Sequence, residues 1–218
     1  MLFERQIMRR TSILDGIAEK EYRPEVMIEE ASKSPEVLAD IFEGISSRNK
    51  RVKNRCARVL QLASRKYPEK LYPQMDFFIE LLDGKDTILK WVALDVIANL
   101  TPVDSKNRFD EIFERYYGYL SDESMITAAH VVDNSATIAR SKAHFRAGII
   151  DKLLGVEEAP YSEECRNILA GKVIVALESI FDLVEDKEKV LLFVASQRNN
   201  SRNATKAKAE RFLRKHGS

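Results

Sequence analysis

Apolar residues along this chain recur at intervals of three and four, the period of a helix with one buried face. Phe3, Ile7, Leu14 and Ile17 form one such stripe, and Val37, Leu38, Ile41, Phe42 and Ile45 form another. Ser34 followed by Pro35 places an N-cap and a proline at the first helical position ahead of that second stripe. No stretch alternates apolar and polar with the period of two that a half-buried strand requires. The pattern predicts an all-α chain. Its helices are separated by turn signals at Asp83-Gly84, Thr101-Pro102, Ser121-Asp122, Gly155 to Pro160 and Asn199-Asn200.

Comparing the chain with itself sharpens this picture. Val52, Cys56, Ala57 and Leu60 stand at offsets 0, 4, 5 and 8, and Ile88, Val92, Ala93 and Val96 repeat those offsets 36 residues on. A third copy, counted from Ser124, brings Ala128, Ala129 and Val132 to offsets 4, 5 and 8. Looser copies follow in Cys165, Leu169, Ala170 and Val173, and in Ala204, Lys208, Ala209 and Phe212. A small residue at offset 5 lets neighbouring helices approach closely, and larger residues at offsets 0 and 8 are expected to fill the space between layers. Each of these helices has an apolar partner before it, over approximately 35–46, 69–83, 106–120, 143–154 and 187–196. One such hairpin cannot bury its apolar face alone, so its neighbours must supply the other wall. A compact helical bundle is the alternative fold, but a constant hairpin period has no reason to exist in one.

The spacing and layout of residues 34–215 resemble the HEAT repeat, a helical hairpin that stacks into a right-handed α-α superhelix, here of about five hairpins. The stretches ILKWVALDVIANL at 88–100, ITAAHVVDNSATIARSKAHF at 126–145 and RNNSRNATKAKAERFLRK at 198–215 resemble stand-alone microbial HEAT-repeat proteins in particular. The resemblance implies a single solenoid domain over 1–218, with helices in 1–33 capping one end. It implies a fold and no reaction.

Composition agrees with helix: Gly and Pro number only 8 and 6, and 32% of the residues are charged. The net charge of +1 gives no global field towards nucleic acid or membrane. Charge is uneven, however. From Arg48 to Lys70 nine Lys or Arg face one acid, and from Gln197 to Ser218 seven face one. Cys56 and Cys165 lie within apolar helical patterns, which points to inert packing in a reducing, cytoplasmic interior rather than to a disulfide framework. The first residues show no secretion signal, and no apolar run is long enough to span a bilayer.

Candidate chemistry is sparse. The three histidines, His130, His144 and His216, share no metal-ligand spacing, and no phosphate loop or nucleophile elbow is present. Neither a metal, a cofactor nor a catalytic residue is therefore called for. In HEAT-like stacks the second helix of each pair lines the concave side. That places Trp91, Asp95 and Asn99 one turn apart on a central wall, with His130 and Asn134, and Asn167 and Lys172, on others. Trp91 is a strong interface anchor, combining area, rigidity and one donor. Packing between layers is the simpler role for Trp91, and a buried polar bridge the simpler role for His130 and Asn134. Arg51, Arg55 and Arg58, with Arg65, form an electrostatic rim able to meet phosphates or an acidic protein.

Three functional classes follow. The first is a non-catalytic scaffold for a protein or peptide partner, with Trp91, Asp95, His130, Asn134, Arg51, Arg55 and Arg58 as contact residues. The second is nucleic-acid binding. Trp91 and Asp95 are similar in spacing to the base-holding aromatic and the carboxylate of the DNA-alkylation-repeat glycosylases, which also build a HEAT-like solenoid. Those enzymes use several aromatics, whereas Trp91 is the sole tryptophan here. The third is a subunit of a larger assembly.

Overall fold

The computed structural model describes residues 13–19 and 21–217 of the chain. Phe3 and Ile7, and most of the N-terminal helix expected over 1–20, lie outside the described residues. Residues 13–18 are helical, and Ile17 within them is fully buried. Every regular element among the described residues is a helix and none is a strand, as the apolar period requires. The chain divides into two compact units, Met1–Val103 and Asp104–Ser218.

In the first unit, α1 (Pro24–Lys33) and α2 (Pro35–Gly44) both begin with a proline whose missing N–H costs nothing there. Ser34 ends the first and starts the second, its Oγ accepting from the Val37 N–H at 3.3 Å. Asn49 caps α3 (Lys50–Lys66) in the same way, accepting from the Arg51 N–H at 3.0 Å. The helix expected over 69–83 is instead broken into α4 (Pro68–Leu71), a 3-10 turn at Tyr72–Gln74, and α5 (Met75–Leu81). Pro73 has no N–H to give and its ring collides with the preceding turn, so the helix restarts. Asp86 caps α6 (Thr87–Leu100), accepting from Ile88 and Leu89. The longer helices pack in series, α1 on α3 and α3 on α6.

In the second unit, α7 (Arg108–Gly118) starts after Asn107, whose φ of 53° is left-handed and stops the helix from extending backwards. It is followed by α8 (Met125–Ser141), α9 (Arg146–Leu154), α10 (Glu163–Ile180), α11 (Lys187–Ser196) and α12 (Asn203–His216). Here α8 packs on α10 and α10 on α12, with α9 against both α8 and α10 and α11 against α12.

The repeat offsets find their physical meaning in burial. At offset 5, Ala57, Ala93, Ala129, Ala170 and Ala209 are all buried, and at offset 8 Leu60, Val96, Val132, Val173 and Phe212 are each 0% exposed. Fully burying an aliphatic side chain of this size stabilises by about 1.5–3 kcal/mol. Offset 0 behaves differently: Val52 is buried, but Ile88 is 44% exposed and Ala204 is exposed. A helical side chain leans towards the N-terminus, so a residue in the first turn projects past the layer that the rest of the helix contacts.

Side-chain polar contacts between helices occur at two main sequence distances. Tyr117 Oη donates to Ser135 Oγ, and Asn134 Nδ2 to Tyr116 Oη, across 18 residues within one hairpin. Between hairpins the distance is 33–40: Lys53 to Asp86, Asn99 to Ser64, Lys152 to Glu114, Lys189 to Asp151 and Gln197 to Glu157. The first distance is about half the second, as it must be when two helices make one repeat.

One charged cluster is buried. Lys142, 4% exposed, ends α8 and reaches Asp104 at 2.9 Å, Asp110 at 2.8 Å and Asn107 Oδ1 at 3.0 Å. Asp104 also accepts from the Arg108 and Phe109 N–H groups, each at 2.9 Å, so it caps α7. Burial opposes the Lys142 charge, but Asp110 and Asp104 outweigh it and hold its pKa above the ordinary 10.5. Burial likewise pushes the Asp110 carboxyl up, yet Lys142 and His144 hold it below the usual 3.8.

Two stability predictions follow from this packing. A Cβ added at Gly44 would stand 2.3 Å from Cys56 Sγ, where α2 crosses α3. Gly44→Ala should therefore cost about 1–3 kcal/mol in urea unfolding, and an unchanged midpoint would contradict the close crossing. Lys142→Met strands two carboxylates and should cost about 3–5 kcal/mol at neutral pH. The Asp110 contribution is complete above the unfolded value near 3.8 and disappears as pH falls through the lower native value. The Lys142 contribution is complete below 10.5 and disappears as pH rises through the higher native value. The difference between wild type and variant should thus be flat from about pH 5 to 9 and shrink below about pH 4. A difference independent of acid would exclude the carboxylates as its source.

Candidate interaction surface

On α3, Arg51, Arg58 and Arg65 are exposed at intervals of seven and share one face. Arg55 points elsewhere. Its guanidinium donates to the Ile17 carbonyl at 2.7 Å and to that of Glu19, capping the helical residues 13–18 at their C-terminal end. It also lies over the Tyr22 ring at 4.6 Å, while Tyr22 Oη donates to the Arg55 carbonyl at 3.1 Å. Burial, with Cys56 adding to it, raises the Tyr22 phenol to about 12, so it stays a donor. Arg55 is thus engaged in holding the N-terminal segment on α3.

Trp91 is half-buried on α6, and Asp95, one turn later, is 5% exposed. Asp95 accepts from Gln61 Nε2, and Gln61 Oε1 accepts from Arg58 Nη1 at 2.6 Å. The fold therefore joins Arg58 to Asp95 through Gln61, a residue the apolar pattern gave no reason to single out. Its signal is distance: Gln61 and Asp95 are 34 residues apart, one repeat.

In the second unit, His130 is half-buried on α8 and Asn134 is 8% exposed. Asn134 Nδ2 donates to Tyr116 Oη at 3.3 Å, and Tyr116 is fully buried, so this pair bridges α7 and α8. The solvent face of α8 consists of Ile126, Asp133 and Arg140, exposed, with His130 and Thr137 half-buried between them. Lys172 on α10 pairs with Asp133 at 2.6 Å, and Asn167 donates to Ser201 Oγ at 2.8 Å and accepts from Asn200 Nδ2 at 2.9 Å.

Burial raises the Cys56 thiol to about 11, leaving little thiolate near neutrality. Among the described residues no three His, Cys, Asp or Glu side chains converge as metal ligands. No described helix is long and apolar enough to cross a membrane.

No protein-family model and no curated protein matches the chain. The fold is similar to a crystal structure of an engineered protein, at 14% identity over 96% of this chain and 90% of that one, with a TM-score of 0.54. Likeness at that identity is a statement about fold alone.

Asp95 is a buried acceptor tied to a neighbouring helix. Asp95→Ala should cost about 1–3 kcal/mol in chemical denaturation, while the exposed Arg51→Ala stays within about 0.5 kcal/mol of wild type. Equal, small effects at both positions would remove the structural role assigned to Asp95.

Proposed function

We propose that this chain is a non-catalytic scaffold that presents the second helices of a HEAT-like stack to a protein or peptide partner. The right-handed superhelix of about five hairpins belongs to the same reading. The observation that carries it is the pair of contact distances, 18 residues within a hairpin and 33–40 between hairpins, found in the side-chain bonds. A fold held by nearest-neighbour steps extends a rigid surface without gathering side chains from distant parts of the chain. Rigidity reduces the ordering cost of binding and suits recognition.

The candidate contact residues that reach solvent are Arg51 and Arg58, exposed, and Trp91 and His130, half-buried. Nucleic-acid binding is the alternative reading, supported by the exposed Arg51, Arg58 and Arg65 face. The glycosylase version draws little support, because the Asp95 carboxylate is 5% exposed and bonded to Gln61.

The test begins with the immobilised full chain and cell extract, followed by calorimetry with the purified partner it retains. Trp91→Ala is expected to weaken that complex at least about tenfold, the loss of an interface anchor. Substrate turnover by the purified chain that disappears in Trp91→Ala would defeat the scaffold reading. Salt-sensitive binding of duplex or single-stranded DNA that collapses when Arg51 and Arg58 become Glu would replace it with the nucleic-acid class.

A further inference from the structure

The contacts joining α8, α10 and α12 form a charge ladder with one rung missing. Asp133 pairs with Lys172 at 2.6 Å, Glu164 with Arg202 at 2.6 Å, and Glu178 with Arg211 at 3.3 Å and Lys215 at 3.5 Å. In each pair the acid comes first and the cation follows one repeat later, on the next helix of the series. Lys208 sits among these cations, and the residue one repeat before it is Gly171. With no carboxylate there, Lys208 Nζ donates to the Gly171 carbonyl at 3.0 Å, and no carboxylate among the described residues pairs with it.

The missing acid is a consequence of packing. A Cβ built on Gly171 would stand 2.6 Å from Thr205 Oγ1 and 3.5 Å from Lys208 Nζ. Thr205 is fixed in turn, 1% exposed and donating to the Asn167 carbonyl at 2.7 Å. The close approach of α12 to α10 therefore excludes an aspartate or glutamate at this rung. Burial, together with Lys172, Arg202 and Arg211, lowers the Lys208 pKa below the ordinary 10.5, against the opposing charge of Asp133. The spot attracts negative charge that the fold itself cannot supply. One turn along α10 from Gly171, Val175 is 44% exposed and offers an apolar contact.

We infer that the α10–α12 face of the second unit binds an acidic peptide, one carboxylate of which completes the rung at Lys208 while a neighbouring apolar side chain covers Val175. This rests on the protein-binding reading and names the chemistry of the partner. A peptide suits the site better than a nucleic acid. Asp133, Glu164 and Glu178 interleave with the cations, which repels a continuous phosphate run but leaves room for discrete carboxylates. Val175 offers nothing to a phosphate.

The experiment is fluorescence anisotropy of the full chain with three labelled probes. These are a twelve-residue peptide of Asp, Glu and Leu, its Asn and Gln analogue, and single-stranded DNA of twelve nucleotides. The acidic peptide should bind and the amide analogue should not. Lys208→Met, which keeps the aliphatic stem, should weaken binding at least about fivefold, and the exposed Val175→Ser should weaken it with no risk to folding. Arg214→Met, on the same helix, should leave it unchanged. Acidic-peptide binding that is absent, or equal in wild type, Lys208→Met and Val175→Ser, overturns the proposal. DNA bound more tightly than the peptide, with the same Lys208 dependence, also overturns it and assigns the site to phosphate. If the acidic peptide fails while the partner retained from extract still binds, the acidic class falls and the scaffold reading stands. If no protein partner is retained at all, the scaffold reading is what has failed.

Discussion

A helical hairpin exposes apolar surface on more sides than its own two helices can cover, and within each unit of this chain the packing follows from how neighbouring helices cover it. The contact depends on two positions. A buried alanine recurs at Ala57, Ala93, Ala129, Ala170 and Ala209, and three residues later a fully buried Leu60, Val96, Val132, Val173 or Phe212. The alanine sets how near the neighbouring helix can come, and the larger residue fills the space that this approach leaves. Interiors are packed too densely for either to change size independently. Where the approach is closest the sequence goes below alanine: Gly44 faces Cys56, and Gly171 faces Thr205.

Apolar burial of this kind has little sense of direction, so it brings helices together without fixing which residue opposes which. The polar contacts at one-repeat distance supply that register. Most are solvent-exposed pairs such as Lys189 with Asp151, worth about 0–1 kcal/mol each, and they act as alignment rather than as the source of stability. The Lys142 cluster is of another kind. Its partners include a helix-capping carboxylate, so the end of α8 and the start of α7 are defined by one buried set of charges. Burial also raises the Tyr117 phenol, which keeps its proton on the bond to Ser135 within the hairpin.

The sequence made the helical class and the five alanine positions legible because both depend on a period, and a period survives without coordinates. The first-turn position did not follow. Ile88 matches Val52 in pattern, but whether a first-turn side chain meets a neighbour depends on where the packed layer begins. The break at Pro73 is written in residue chemistry, but it sits within an otherwise regular apolar stretch that masks it. Among the candidate contact residues, spacing placed Trp91 with Asp95 and His130 with Asn134 on common helix faces. It did not reveal that Gln61 and Tyr116 take up Asp95 and Asn134, since those bonds cross to another helix. The partners of Arg55 escape the pattern for the same reason: the Ile17 and Glu19 carbonyls lie 38 and 36 residues away. The Gln61–Asp95 pair and the Arg55 bonds fall 34–38 residues apart, so acid, amide and cation positions carry the repeat distance as well as the apolar ones do.

That distinction bears on how such a protein evolves a function. Side chains used for register are spent in bonds between neighbours, and a ligand that takes them must first break those bonds. A partner meets less resistance where the ladder is silent. It is silent at exposed first-turn residues such as Ile88 and Ile126, which the layers do not reach, and at Lys208, where packing forbids the expected acid. The same steric rule that draws α12 onto α10 therefore leaves a cation without its carboxylate. Close packing between these helices both excludes side chains from the core and decides which charges remain available at the surface.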